Sequence, residues 1–246
     1  MTLLVTGATG YLGRELLRQG DAAGPRFDIR DEAVVREALE SLRPTAVINT
    51  AYRVDDRAAT CDGAVNVARA AAAIGARLVQ VSTDVVFDGE KGSPYVESDE
   101  PTPITDYGRD KADAERGVLA AHPEALVVRT SLIYGGPEPG PQERMAADPG
   151  ATFFTDEFRC PVCVGDLAAA LLELAGTGEA GILHVAGADR VSRAELARLL
   201  AGAPVRTATI AESGLRRPRD CALSIERARG MLRTHLRGVR EVLGAF

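Results

Sequence analysis

The chain has 246 residues, enough to bury a large core without disulfides or metals. Its 46% hydrophobic and 26% charged residues are the balance of an ordinary folded protein and exclude a disordered one. With 29 basic against 35 acidic side chains the net charge is −6, which argues against a nucleic-acid or anionic-membrane binder; no apolar run reaches the ~18 residues of a membrane helix.

Leu3-Leu4-Val5 reads as a short buried strand. It runs into Gly7-Ala8-Thr9-Gly10-Tyr11-Leu12-Gly13 and then a helix to about Arg18, with no basic flank or cleavage site of a signal peptide. Apolar residues at Val34, Val35, Ala38, Leu39 and Leu42 make one helical stripe from Asp31 to Leu42, closed by Pro44. Ala46-Val47-Ile48 is the next strand, Ala64 to Ile74 an alanine-rich helix, and Leu78-Val79-Gln80-Val81 a strand leading into Ser82-Thr83-Asp84. Tyr107 to Ala120 is a helix and Leu126-Val127-Val128 a strand. Strands alternating with helices predict a Rossmann-like, doubly wound parallel α/β sheet over residues 1–134. Gly135 to Gly150, rich in proline and glycine, reads as an irregular excursion. Asp166 to Leu174 is a helix, Ile182 to Val185 a strand, and Ser192 to Leu200 a helix with Ser192 and Glu195 as a capping box; Ser224 could cap the next helix. Residues 135–246 are expected to form mainly a smaller α/β substrate lobe, with 160–175 returning to the first domain.

The glycine spacing is G-x-x-G-x-x-G. Glycines allow a tight turn and close approach of backbone N–H groups to a pyrophosphate, and the following helix offers its positive end; the alternative is close packing alone. Tyr107 and Lys111 lie four apart, on one face of a predicted helix. An ammonium beside a phenol favours the phenolate, and the phenol can then exchange a proton with a carbonyl or alcohol. Thr83 falls just past a central strand, where α/β sheets place their ligands, and its hydroxyl can bond a substrate oxygen.

Together these residues resemble the extended short-chain dehydrogenase/reductase family, and within it the dTDP-4-dehydrorhamnose reductase-like group. The resemblance is carried by Thr6–Gly13, Arg43-Pro44, Val47–Ala51, Val81–Gly89 and Tyr107-Gly108-Arg109-Asp110-Lys111. It continues through Arg129–Gly135, Asp166-Leu167-Ala168, His184–Gly187 and Arg217-Pro218-Arg219-Asp220. It implies an oxidoreductase using NADP or NAD to reduce a keto group on a nucleotide-linked sugar. Tyr107 would be the general acid, Lys111 would hold the nicotinamide ribose, and Thr83 would bond the reacting oxygen. Gly7, Thr9, Gly10, Tyr11, Leu12, Gly13, Asp28, Ala51 and Ser82 would contact the cofactor; Asp84, Arg159 and Arg217 would contact the substrate. A non-catalytic dinucleotide-binding regulatory subunit and a sibling epimerase or ketone reductase are the alternatives.

The sequence also departs from the family. Only Gln19 to Phe27 fills the space of a second strand, so Asp28, Arg26 and Arg30 do not settle the choice between NAD and NADP. Leu132 stands where these reductases commonly carry Trp, which bears on the substrate more than on the reaction. Cys160 and Cys163 form a C-x-x-C that lacks spaced partners for zinc and reads as two buried thiols. His184 reads as a core histidine. Arg216, Arg217 and Arg219 suit either a nucleotide-sugar pyrophosphate or a solvated helix end. The four cysteines and the missing export signal point to a cytoplasmic protein. No metal, nucleic-acid or membrane partner is expected, and a homodimer is admitted.

Overall fold

The computed structural model describes residues 2–244. Six strands form one sheet: β1 Leu3–Thr6, β2 Ala22–Ala23, β3 Ala46–Asn49, β4 Arg77–Thr83, β5 Leu126–Thr130 and β6 Gly181–His184, in the order β6-β5-β4-β3-β1-β2. β1 pairs in parallel with both β2 and β3, and β3 in parallel with β4. Strand order therefore reverses at β1/β3, and an open α/β sheet leaves a crevice at the carboxyl ends of the strands that flank such a switch. The α/β class with a parallel central sheet is as expected.

β1 and β3 are buried along their whole length, which is why both are apolar up to their last residues, Thr6 and Asn49. Helices α1 Tyr11–Gln19, α2 Glu32–Leu42, α3 Gly63–Ala73, α4 Asp106–Ala121 and α5 Val164–Ala175 supply the cover. Val35 and Leu39 of α2, Ala64, Val67 and Ala71 of α3 and Val118 of α4 close one core around Leu4, Val47, Leu78 and Val127. The alanines of α3 let α4 come close, and Gly117 of α4 has room for Val65 only because it lacks a Cβ. Asp31 caps α2, accepting from the amides of Ala33 and Val34 at 3.0 and 3.2 Å. Within the short Gln19–Phe27 span the second strand is present as two residues, Ala22 opposite Leu3 and Ala23 opposite Leu4.

The chain forms two compact units. The first holds the described residues up to Ser82, Asp106–Arg129 and Ala168–Leu183; the second holds Thr83–Thr105, Thr130–Leu167 and the residues from His184 onward. By contacts, Thr83–Thr105 thus go with the second unit, whereas a division at residue 134 would group them with the first.

The second unit is built from short pairings: Ile133–Tyr134 with Val162–Cys163, Phe158–Arg159 with Val191–Ser192, and Phe153–Phe154 with Thr207–Ala208. Tyr134, Cys163, Val191, Leu196 and Val239 make one of its cores. The Gly135–Gly150 stretch is not wholly irregular: Pro141 opens a helix, Pro141–Ala146, whose Glu143 carboxylate accepts from the Gly140 amide at 3.0 Å. Ser192 caps the helix Arg193–Ala201 through the Glu195 amide at 3.0 Å. The reciprocal half of the expected box gives way, because the Glu195 carboxylate pairs with Arg240 at 2.6 Å instead. Ser224 does not cap: Ile225 is the N-cap of Glu226–Met231, with no side-chain bond. Among the described residues no helix is long and apolar enough to cross a membrane.

Candidate active site

The cavity of the first unit opens at the β1/β3 switch. Its volume is about 250 Å³, and its lining includes Gly7 and Thr9 after β1, Ala51 and Tyr52 after β3, and Asp28. The turn after β1 is tight. Gly7 has φ +68°, and a Cβ there would lie 2.7 Å from the Ala51 nitrogen. A Cβ on Gly13 would come 2.2 Å from the Gly7 carbonyl oxygen. Both positions therefore exclude every residue but glycine, the first by backbone conformation as well as space. Gly10 is the N-cap of α1 and supplies no side-chain cap, so the first amides of the helix are left to bind an anion.

A buried polar ladder holds the opposite wall. Thr6 donates to Asn49 Oδ1, and Asn49 Nδ2 donates to Gln80 Oε1 at 2.7 Å, which ties the ends of β1 and β3 to the middle of β4. Asn49 Oδ1 also accepts from the Ala51 amide at 3.1 Å. The loop that carries Ala51 and Tyr52 is thus fixed by buried side chains before any ligand binds. A cradle that a Cβ would fill, beside an uncapped helix start, fits the pyrophosphate of a dinucleotide.

Tyr107 and Lys111 sit on the first two turns of α4. Lys111 is buried, with 3% of its surface exposed, and its ammonium donates to the Val81 carbonyl oxygen at 2.6 Å. Burial pulls its pKa down from the ordinary 10.5 to about 8, with the Glu115 carboxylate opposing. The ammonium lies 5.5 Å from the ring centre of Tyr52, and that ring is 5.8 Å from the ring of Tyr107, tilted by 40°. Tyr52 thus touches both members of the pair, and the sequence reading passed over it. Its signal was its place directly after Ala51. Glu115, also passed over, lies one turn beyond Lys111. It accepts from Ser82 Oγ and from Arg129 at 2.8 Å, all three side chains being buried. Ser82 therefore spends its hydroxyl inside the protein. Leu12 is buried as well.

Thr83, Asp84, Arg159 and Arg217 all belong to the second unit. Thr83 Oγ1 lies 3.4 Å from an Asp84 carboxylate oxygen and accepts, also at 3.4 Å, from the Val85 amide, capping the single turn Asp84–Val86. Asp84 is buried; Ser131 donates to it at 2.6 Å and Arg159 Nε stands 3.6 Å away. Burial raises the Asp84 pKa, and Arg159 opposes the rise. Glu157, 1% exposed, is the hub the sequence did not reveal: it pairs with Arg159 at 3.1 Å and with Arg217 at 2.5 Å. Asp84 and Arg159 are therefore closed off from solvent, whereas the Arg217 side chain is 37% exposed. Arg193, beside the hub, has its pKa lowered to about 10 by burial.

The remaining candidates fall outside these groups. Cys160 and Cys163 are both buried and diverge, their thiols directed to the carbonyls of Leu223 and Gly135. Among the described residues no three His, Cys, Asp or Glu side chains are gathered as metal ligands. His184 is fully buried, edge-on to Phe87 at 6.1 Å.

A parallel sheet with a glycine turn at its switch point and a Tyr-x-x-x-Lys helix beside it is the build of an extended short-chain dehydrogenase/reductase. The chain matches the family described as RmlD substrate binding domain over residues 1–246. A dTDP-4-dehydrorhamnose reductase from Mycolicibacterium smegmatis is 38% identical over 221 residues, covering 80% of this chain and 67% of that protein. One from Streptomyces griseus is 36% identical over 247 residues, covering 87% and 81%. The crystal structure of dTDP-4-dehydrorhamnose reductase from Bacillus anthracis in complex with NADP superimposes with a TM-score of 0.89 at 27% identity, over 99% of this chain and 98% of that one. The protein belongs to the RmlD family.

Proposed function

We propose that the protein reduces a keto group on a nucleotide-linked sugar, as an NAD(P)-dependent oxidoreductase of the extended short-chain type. The observation that carries this reading is the family match over residues 1–246; the glycine turn, Thr83, Tyr107 and Lys111 are the residues this reading sets to work.

The reduced nicotinamide, when bound, supplies the hydride that the carbonyl carbon accepts. The carbonyl oxygen takes the phenolic proton of Tyr107, which solvent restores, and the product is the alcohol. Lys111 favours the phenolate form of Tyr107 by its charge. One of its three donors is committed to Val81, which leaves two for the nicotinamide ribose. Thr83 donates to the reacting oxygen, and Gly7, Thr9, Gly10, Tyr11 and Gly13 surround the pyrophosphate. Leu12 and Ser82 contribute main chain only, since one side chain is buried and the other is bonded to Glu115. Asp84 and Arg159 are positioning residues for Thr83, and Arg217 is the cation left to meet the nucleotide phosphates.

The same reading places the enzyme in the cytoplasm without nucleic-acid or membrane partners; light scattering distinguishes a monomer from a homodimer. The decisive experiment is a titration with NADPH and NADH, followed by nicotinamide absorbance with a dTDP-linked 4-keto sugar. Oxidation that requires the sugar is expected. A folded chain that binds neither dinucleotide would overturn the proposal in favour of a non-catalytic role.

A further inference from the structure

Of the 29 basic side chains only two are lysines, Lys91 and Lys111; all the others are arginines. Each ammonium lies 5.5 Å from the centre of a tyrosine ring, Lys91 over Tyr95 and Lys111 over Tyr52, within the range in which a cation is drawn to the face of a ring. Their other partners differ. Lys91 also pairs with the Asp99 carboxylate, so its charge is held by an ion of opposite sign. Lys111 is buried, and its partners are the Val81 carbonyl oxygen at 2.6 Å and the Tyr52 ring. The ions around it are Glu115, one turn on along α4, and Arg129 on β5. Arg129 meets Glu115 at 2.8 and 3.1 Å, and Ser82 donates to the same carboxylate, which is thus already engaged by other donors.

Tyr52 is exposed, yet the loop that carries it is firmly mounted. The next residue back, Ala51, donates its amide to Asn49 at 3.1 Å. The next residue on, Arg53, is clamped by the buried Thr60 hydroxyl, which accepts from its amide at 3.2 Å and donates to its carbonyl at 2.6 Å. Arg57 then reaches across to α4, where it pairs with Asp110 at 2.6 Å and with Asp113 at 2.8 Å. Asp110 adjoins Lys111 in sequence. The loop is therefore tied to the sheet at one end and to the helix of Tyr107 and Lys111 at the other. Between these ties the Tyr52 ring stands 5.8 Å from the Tyr107 ring.

We infer that Tyr52 is a positioning residue for the Tyr107/Lys111 pair: its ring sustains the charge of the buried ammonium and backs the ring of the phenol. Burial drives an ammonium towards its neutral form, and it brings Lys111 down to about 8. The face of an aromatic ring opposes that drift without bringing a second ion that must itself be desolvated. A carboxylate in the same place would also hold the charge, but it would cancel the field that Tyr107 feels; a neutral ring leaves that field standing. The catalytic consequence rests on the reductase reading above, in which a neutral Lys111 leaves Tyr107 the weaker acid.

The test is a pH titration, followed by NMR, of the full chain carrying carbon-13 at the lysine Cε, in which Lys111 has only Lys91 for company. Tyr52→Leu is expected to move the Lys111 midpoint down by about one unit and to leave Lys91 in place. Tyr52→Phe, which keeps the ring, holds the parent midpoint. Turnover with NADPH and a dTDP-linked 4-keto sugar follows the same shift. In Tyr52→Leu it falls about fivefold below the parent at pH 8 and returns to within about twofold of it at pH 6, where Lys111 is charged in both proteins. A Tyr52→Leu chain whose Lys111 titrates as in the parent overturns the inference, as does one in which both lysines shift alike. A midpoint shifted equally by Tyr52→Phe overturns it too, because the hydroxyl and not the ring would then be responsible, and so does a loss of turnover that is the same at both pH values. The lysine titration needs neither cofactor nor substrate. A parent chain without reductase activity therefore removes the proposed function, while the Lys111 midpoint still decides whether the Tyr52 ring sustains the charge.

Discussion

The two units solve the problem of a polar site in opposite ways. In the first, the cavity is shaped by main chain and by missing side chains: Gly7 against Ala51, Gly13 against Gly7, and an uncapped α1. In the second, Asp84, Ser131, Glu157, Arg159 and Arg217 form a connected set of side chains, most of them buried. A backbone site costs little to desolvate, because its donors are dipoles and not ions. A buried charge network is held only while each ion keeps its partners. The glycine cradle of the first unit should thus tolerate changes of charge and fail on changes of shape, and the Glu157 network of the second should do the reverse.

The largest effect expected is chemical. Tyr107→Phe removes one hydroxyl and leaves the glycine turn untouched, so reductase turnover should fall by about 10³-fold, within the range for a lost general acid. NADPH affinity, read by calorimetry, should stay within about twofold. Full turnover in this variant would dismiss Tyr107 as the acid. The second unit breaks differently. Glu157→Ala takes a buried partner from two arginines, one of them 3% exposed, and should cost about 3 kcal/mol in urea denaturation. A loss under about 1 kcal/mol, as for exposed ion pairs, would show that the hub does not hold its unit together.

These two variants also mark what a single sequence can tell. Gly7, Gly10, Gly13, Tyr107 and Lys111 are local patterns, each pair within four residues, so the order strand, turn, helix was enough to find them. Asp28 could be found but not interpreted, because its meaning depends on Arg30 filling it. Glu157 left no signal: it joins Arg159, two residues away, to Arg217, sixty residues away, where the chain meets itself only through an isolated bridge between Phe158 and Asp220, too short to read. Tyr52 was passed over for a related reason. Its ring matters through Tyr107, across a separation that no periodicity reports. The Gly135–Gly150 helix was hidden by its own prolines, although Pro141 stands at the position where a helix accepts one.

Lys111 sharpens the comparison because it is the one buried ion on which the first unit's proposed chemistry depends. Its pKa is about 8 when folded and near 10.5 when free. Below pH 8 both states hold the proton and the burial penalty is present in full. Between pH 8 and 10.5 the unfolded chain binds more protons than the folded one, so stability rises with pH. The rise attributable to this side chain is about 3 kcal/mol. Lys111→Met should remove it: the stability difference between variant and parent should narrow steadily from pH 8 to pH 10. A difference that stays constant over that interval would mean that the ammonium is solvated in the native protein.

The smallest effect tests whether the first unit answers to shape alone. Asp31 is a charged residue of that unit remote from the proposed chemistry, and its carboxylate caps α2 through two amides. Asp31→Ala leaves those amides to water and should cost about 1 kcal/mol, the ordinary value of an N-cap. Because α2 covers Leu4 and Val47 through Val35 and Leu39, the loss should appear in urea denaturation of the whole chain. It should leave NADPH affinity unchanged, since the hydrogen bonds that fix the loop after β3 run from Thr50 to the Thr6 carbonyl and from the Ala51 amide to Asn49, none of them to α2. An Asp31→Ala protein that lost dinucleotide affinity in step with its stability would show that the glycine cradle depends on its helical cover, and the contrast between a self-supporting backbone site and a side-chain network would fall.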